Sequence, residues 1–285
     1  MFPPSQDPRR GWSARWRAST GLIVLLGCSD PGDFQRDGDA WRYRGQVIEG
    51  ADTRTFRVLD AHHARDARQV WWADTERKAQ DFFLTRHVSV RRIEGADAGS
   101  FVLLRHGYAR DRNAVYHEGR AFPVADVAGF EPLDDGFARD GRHGYYQRQP
   151  IPGSAGAPGF RVLDSWHADD GQRIFHARLD VTSGRPHVQA LSGVDRGSFA
   201  VLGAHWARDS RTLFFAGTRL PDDPASFRAL DRGYVRTATQ VYHLGRSIAG
   251  ADAASFEVLA STADDDGADA RDARRRYGQG KAIER

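Results

Sequence analysis

The residues able to do chemistry in this chain are eleven histidines, a set of regularly spaced aspartates and one cysteine. Histidine offers metal ligation or proton transfer. Here His62 and His63 are adjacent, and neither HExxH nor a paired-His helical spacing occurs. Most histidines stand where sister segments carry Tyr or Phe, which reads them as ring-shaped packing residues; no metal and no cofactor is expected. Aspartates could hold calcium, whose loops concentrate carboxylates and a Gly within about a dozen residues. "ADDGQ" (168–172) and "DDDGADARD" (264–272) come nearest, and both read as solvated turns. A pair of carboxylates could also cleave a glycosidic bond. An aspartate that recurs once per unit is better explained by turns and caps, so no catalytic residue is assigned. The chain has no GxSxG, P-loop or CxxC.

The cysteine, Cys28, points to a different chemistry. "RRGWSARWRASTGLIVLLGCSD" presents a basic segment, a short apolar core and then this residue. The run Leu22–Leu26 is too short to cross a bilayer permanently, and Leu25-Leu26-Gly27-Cys28 resembles a bacterial lipobox. Residues 1–27 are therefore expected to be a lipoprotein signal peptide, 28–33 a short tether, and Cys28 the lipid attachment site. With no second cysteine, no internal disulfide can form. Two or more acyl chains, at about 0.8 kcal/mol per buried CH₂, hold a protein to a membrane stably. The expected location is the bacterial cell envelope, with Ser29 after the cysteine favouring the outer membrane over the inner.

Charge excludes one class of partner. The chain carries a formal net charge of +3. Arg9, Arg10, Arg15 and Arg17 against Asp7 place all of it in the leader. The rest balances to zero, which is no phosphate-binding surface, and no nucleic-acid partner is expected.

The elements that position these residues follow from a repeat. Phe56, Phe101, Phe130, Phe160, Phe199, Phe227 and Phe256 recur, mostly about 29 residues apart. Each is followed three residues later by Leu and, except at Gly156, preceded four residues earlier by Asp. Between these anchors lies a second block, "YARDRNAVYHEGRAF" at 108–122, centred on Asp37, Asp66, Asp111, Asp140, Asp170, Asp209 and Asp272, with Thr237 in that place once. Rings flank the central position three residues before it in seven units and five residues after it in seven of eight. The Asp of "GADxxSF" suits an N-cap, "RDRNA" supplies turn chemistry, "AVYH" suits a strand, and Gly119 and its equivalents suit a hairpin turn. The spacing predicts an all-β array of about eight units over 34–285, each about three short antiparallel strands plus a helical turn. It leaves open whether the array is an open ribbon or solenoid, or propeller-like. A two-turn helix over "DAASFEVL" competes locally. No unit can bury enough surface alone, so neighbours must share faces.

The alternation of "YARDRNAVYHEGR" with "IEGADAGSFVLL" resembles the bacterial DKNYY repeat family over nearly all of 34–283. Tyr108, Asp111, Asn113, Val115, Tyr116, Gly119, Gly95, Asp97, Phe101 and Leu104 carry the match. Arg replaces the family's Lys, and His117, His176 and His243 replace its second Tyr. The resemblance implies the repeat architecture and no catalytic residues.

Two units break the pattern. Val70 to Ile93 and Ile174 to Leu191 are far longer than the hairpins of the other units, and both insertions fall in the same hairpin. Insertions in repeat proteins often mark a binding face. The first carries Phe82, Phe83, Arg86 and His87, the second Arg178, Arg185 and His187; these are the candidate binding residues. The expected function is a membrane-anchored, non-enzymatic binding or scaffold module for a protein or glycan. The alternative is an envelope hydrolase acting on glycan through Asp and His on the array edge.

Overall fold

Runs of β-branched and aromatic residues too short for a stable isolated hairpin form paired strands here because each is flanked by turn residues and covered by a neighbouring sheet. The computed structural model describes residues 33–77, 85–260 and 267–283. They form eight small antiparallel sheets, each a simple meander: the first of three strands, the other seven of four. The third sheet is typical, with strands Val102–Leu103, Tyr108–Arg110, Val115–His117 and Arg120–Phe122. The stretch after each anchor phenylalanine is a paired strand, as a turn followed by a strand requires, and the strand over Tyr108–Arg110 and its equivalents is one more than the sequence leads one to expect. The competing two-turn helix does not form: Arg196–Ser198 and Pro224–Ser226 are single 3-10 turns capped by Asp195 and Asp223, and Glu257–Val258 is a strand.

The core is a chain of seven clusters, each shared by two successive sheets. Among the described residues none joins the eighth sheet to the first. In each cluster an anchor phenylalanine meets a ring of the sheet before, and in five of the seven it also meets a ring of its own sheet. Phe101 lies 6.1 Å from His63 and 5.7 Å from Tyr116, and Phe256 lies 5.3 Å from Tyr234 and 5.4 Å from Tyr277. His63 and His167 occupy ring positions of this ladder and are buried, as the shared register with Tyr and Phe leads one to expect.

The central aspartates fasten each sheet to the loop that enters it. Asp111 is buried. Its Oδ1 accepts the amides of Asn113 and Ala114 at 2.7 and 2.8 Å, closing the turn between the second and third strands. Its Oδ2 accepts the amide of Asp97 at 2.7 Å and the Tyr116 hydroxyl at 2.8 Å. Asp140 and Asp272 repeat all four contacts; Asp66 and Asp209, whose sheets carry Trp71 and Phe214 in place of the Tyr, repeat the three amide contacts. Gly156, the one exception among the caps, sits where a Cβ would lie 2.2 Å from the Asp140 carbonyl, so only glycine lets that loop approach. In the first sheet Asp37 is exposed and pairs with Arg42 at 2.8 Å instead. Among the described residues no incoming loop reaches it.

The seventh sheet keeps the carboxylate but moves it. Thr237 replaces the aspartate, and Asp222 from the incoming loop accepts its hydroxyl at 2.6 Å, that of Thr239 at 3.1 Å and that of Tyr242. Between the fifth and sixth sheets the neighbouring arginine contact is likewise inverted. Arg110 and Arg208 reach carbonyls of the next turn, whereas buried Asp169 at their register receives Arg196 from that turn, at 2.9 Å.

Two consequences follow for stability. Phe101→Ala removes a ring from the centre of a cluster and is expected to cost about 3–5 kcal/mol in denaturant unfolding. Asp222→Ala strands two buried hydroxyls and is expected to cost about 3 kcal/mol. Adding Thr237→Asp to it restores the carboxylate where the sister sheets hold it and should recover most of the loss; a double variant no more stable than Asp222→Ala would show that the transferred charge is not what holds this junction.

Candidate functional site

A four-stranded meander sends its first and third connections to one end and its second to the other. The second connection carries the aspartate clasps, so that end is committed to holding the sheets together. The opposite end carries the connections between third and fourth strands. Five of these, and the last connection of the three-stranded first sheet, are two-residue turns with left-handed backbone at both positions: Glu118-Gly119, Gln147-Arg148, Ala216-Gly217, Leu244-Gly245 and Gln279-Gly280, with Arg44-Gly45 in the first sheet. In five of them the second position needs glycine for its positive φ, and in several also for room. A Cβ on Gly245 would lie 1.9 Å from Phe215 of the sheet before, and one on Gly119 2.4 Å from Trp72.

The second and fifth sheets replace this turn by the two inserted hairpins, Val70–Arg77 with Arg86–Arg92 and Ile174–Leu179 with Pro186–Ala190. Of the first set of candidates, Phe82 and Phe83 lie outside the described residues, as does Cys28. Arg86 is exposed and lines a cavity of about 500 Å³ with Asp33, Tyr43, Arg44, His62 and Asp74. His87 is half-buried and faces Glu76 across the strand pair. The second hairpin is described throughout. Asp180 organises its tip: Oδ1 accepts the amides of Thr182 and Ser183 at 3.1 and 2.8 Å and the Ser183 hydroxyl at 2.9 Å. These bonds hold Val181 out at 98% exposure. Arg185 and His187 are exposed and Arg178 half-buried. Among the described residues the side chains of all three take no carboxylate or carbonyl partner.

Strand periodicity fixes what lies beneath. Phe175 and Ala177 face the fourth sheet's cluster, so His176 and Arg178 face the sixth sheet. Gln189 and His187 lie opposite them in register. Buried His176 presents Nε2 to Nδ1 of His205 at 3.1 Å across the junction. The His205 ring lies 4.4 Å from that of Trp166 and 6.2 Å from that of Phe215. His167 packs 5.1 Å from His176, with its Nδ1 2.9 Å from Asp164. The backbone of His205 is left-handed, φ 70°, at the register where sister sheets place Gly107, Gly136 and Gly233. Trp166, His176 and His205 are not singled out by residue type. The signal that finds them is a histidine standing where the repeat has glycine.

Burial, with the neighbouring His167, His205 and Arg178 charges, lowers the His176 pKa to about 3, and burial likewise lowers that of His205. Both rings are neutral near pH 7, beside an unpaired guanidinium.

The carboxylates are otherwise engaged. Burial raises the carboxyls of Asp111, Asp140, Asp209 and Asp272, but their hydrogen bonds outweigh it and hold them below the usual range, Asp272 at about 2. In "ADDGQ", Asp169 is held by Arg161 and Arg196 while Asp170 closes a turn. Near the end of the chain Asp269 accepts the Tyr234 hydroxyl at 2.6 Å. Among the described residues no three His, Cys, Asp or Glu side chains are placed to hold a metal ion.

These shifts set a pH dependence. His176 must stay neutral to fold, so its contribution is complete above the unfolded value near 6.5 and is lost as pH falls toward about 3. Between pH 7 and 5 this amounts to about 2 kcal/mol. The clasp aspartates, whose folded pKa values are depressed, add a further loss below about pH 4. Thermal melts of His176→Phe, which places the Phe215 ring type at this register, should lose the pH 7 to 5 component and keep the acid one. An unchanged slope between pH 7 and 5 would assign it to another group. No family model, curated protein or solved structure matches this chain.

Proposed function

We propose that this is a membrane-anchored cell-envelope repeat protein of the DKNYY type, a non-enzymatic module that binds a protein or glycan at the hairpin-bearing end of its array. The signal over 1–27 would deliver it, and acylated Cys28 would hold it at the envelope membrane through the 28–33 tether. The observation that carries the binding reading is the division of labour between the two ends. At one end the turn aspartates are consumed by intersheet bonds. At the other, both insertions lengthen the same connection, and one raises an ordered tip with Val181 exposed beside Arg178, Arg185 and His187. A tip ordered before contact spends little entropy on binding. The saturated carboxylates of the clasps weigh against the glycan hydrolase, which needs a carboxyl of raised pKa as its acid.

Two experiments test this. Replacing residues 177–188 by Glu-Gly, the turn of the third sheet, should leave the melting temperature within a few degrees of the parent. It should also abolish capture of an envelope component by the lipid-free 34–285 fragment. Undiminished capture by the shortened variant would move the contact elsewhere. Separately, Cys28→Ala should lose metabolic palmitate labelling and membrane association, and membrane association that persists would remove the anchor.

A further inference from the structure

We propose that the junction of the fifth and sixth sheets is a subsite for an acidic saccharide unit, with the sugar ring against Trp166 and its carboxylate or phosphate on Arg178 and His205. This rests on the binding reading above and names the ligand class of that same end. The site is a shelf. Its floor is the contact of Trp166 with His205, both half-buried, at 4.4 Å. Its wall is the inserted hairpin, on which Arg178 follows His176 by two residues and so projects from the same face, with His187 directly across the strand pair.

Charge selects the ligand. Of the carboxylates near the shelf, Asp164 gives Oδ1 to His167 and to the amides of its own turn while its Oδ2 is buried without a partner, and Asp180 gives Oδ1 to the amides of its own tip. Arg178 and His187 are left without a carboxylate partner among the described residues. A guanidinium takes a carboxylate or phosphate bidentately. His205 spends Nδ1 on His176, and its Nε2 takes no protein partner among the described residues. Burial, and after it the neighbouring His167 charge, lower the affinity of His205 for a proton, so it meets the anion as a neutral hydrogen-bond donor, as a dipole rather than a charge. The same surroundings disfavour a cation between His176 and His205, although their nitrogens lie 3.1 Å apart.

Shape selects a ring. Trp166 is half-buried with His205 beside it, and an indole ring next to a polar group is a surface that a saccharide's C–H face covers. A left-handed backbone at a non-glycine residue is retained where surrounding structure over-determines it, commonly at binding sites. At His205 the sister sheets show that glycine satisfies the turn, so the backbone does not require the imidazole.

Calorimetric titration of the full chain with trigalacturonate, maltotriose, inorganic phosphate and hexaglutamate tests this. Trigalacturonate should bind saturably, with maltotriose and phosphate each at least about tenfold weaker. Arg178→Ala and Trp166→Ala should each weaken trigalacturonate about tenfold or more. His205→Gly should weaken it too while the melting temperature holds or rises, because glycine relieves the left-handed backbone. A fall in melting temperature with affinity unchanged would make His205 a packing residue and overturn its role. No saturable binding at about 10 mM trigalacturonate, affinity unmoved by Arg178→Ala and Trp166→Ala, or hexaglutamate binding as tightly, would overturn the subsite. If an envelope component is still captured through the hairpin while no acidic saccharide binds, the subsite falls and the binding module stands. Capture that ignores the hairpin removes the module reading itself.

Discussion

Everything in this array hangs on a buried carboxylate at the entrance to a sheet. Burying an anion is costly unless charge-assisted hydrogen bonds replace its water. Asp111 and its equivalents meet that condition with three amides, and three of them with a tyrosine hydroxyl as well. The partners come from two places: the turn inside the sheet and the loop arriving from the sheet before. One side chain therefore closes a turn and docks a connection at once. Pulling the loop away would leave a half-satisfied anion in an apolar surround, so the two events are coupled. The seventh sheet shows that the constraint is on the position of the charge and not on the residue that supplies it, because Asp222 reaches the same place from the opposite side of the junction.

The ring ladder and the clasp do different work. Ring contact at 5–6 Å is nearly non-directional and supplies most of the favourable burial. It would tolerate a loop displaced by a residue. The clasp would not, because its acceptors fit one register only. Together they give an array whose stability is a sum of nearest-neighbour terms. Each cluster joins two successive sheets, so a defect at one junction is felt chiefly by its two neighbours.

What was legible in the sequence follows from this division. The spacing of Phe101, Leu104, Asp111 and Tyr116 recurs because every junction needs the same packing and the same acceptor, and a period of about 29 residues is that need written out. The four-stranded count was not legible, since strands such as Tyr108–Arg110 are too short to show an alternating pattern. Nor was the bond between the two aspartates of each unit, which read as separate turn signals. The hairpin candidates Arg178, Arg185 and His187 were found from length alone. Trp166, His176 and His205 were missed because each resembles an ordinary ladder ring. They stand out only where His205 is set against Gly107, Gly136 and Gly233, and where a neighbouring sheet is known to lie across from it.

The freedom of the hairpin end has the same origin. A two-residue turn between the third and fourth strands contributes no clasp, and lengthening a loop costs only about 0.6 kcal/mol per doubling. Insertions are therefore tolerated there and excluded at the aspartate end, where an extra residue would move the acceptor off its amides. The position beside the second hairpin goes further than tolerance. His205 holds a left-handed backbone at a cost of about 1 kcal/mol or more, and its ring is joined to His176, Trp166 and Phe215. A repeat that solves the same backbone problem with glycine in three other sheets does not need an imidazole for the turn itself. The strain, the unpaired guanidinium and the aromatic ring meet at one junction, which is where the proposed ligand would lie.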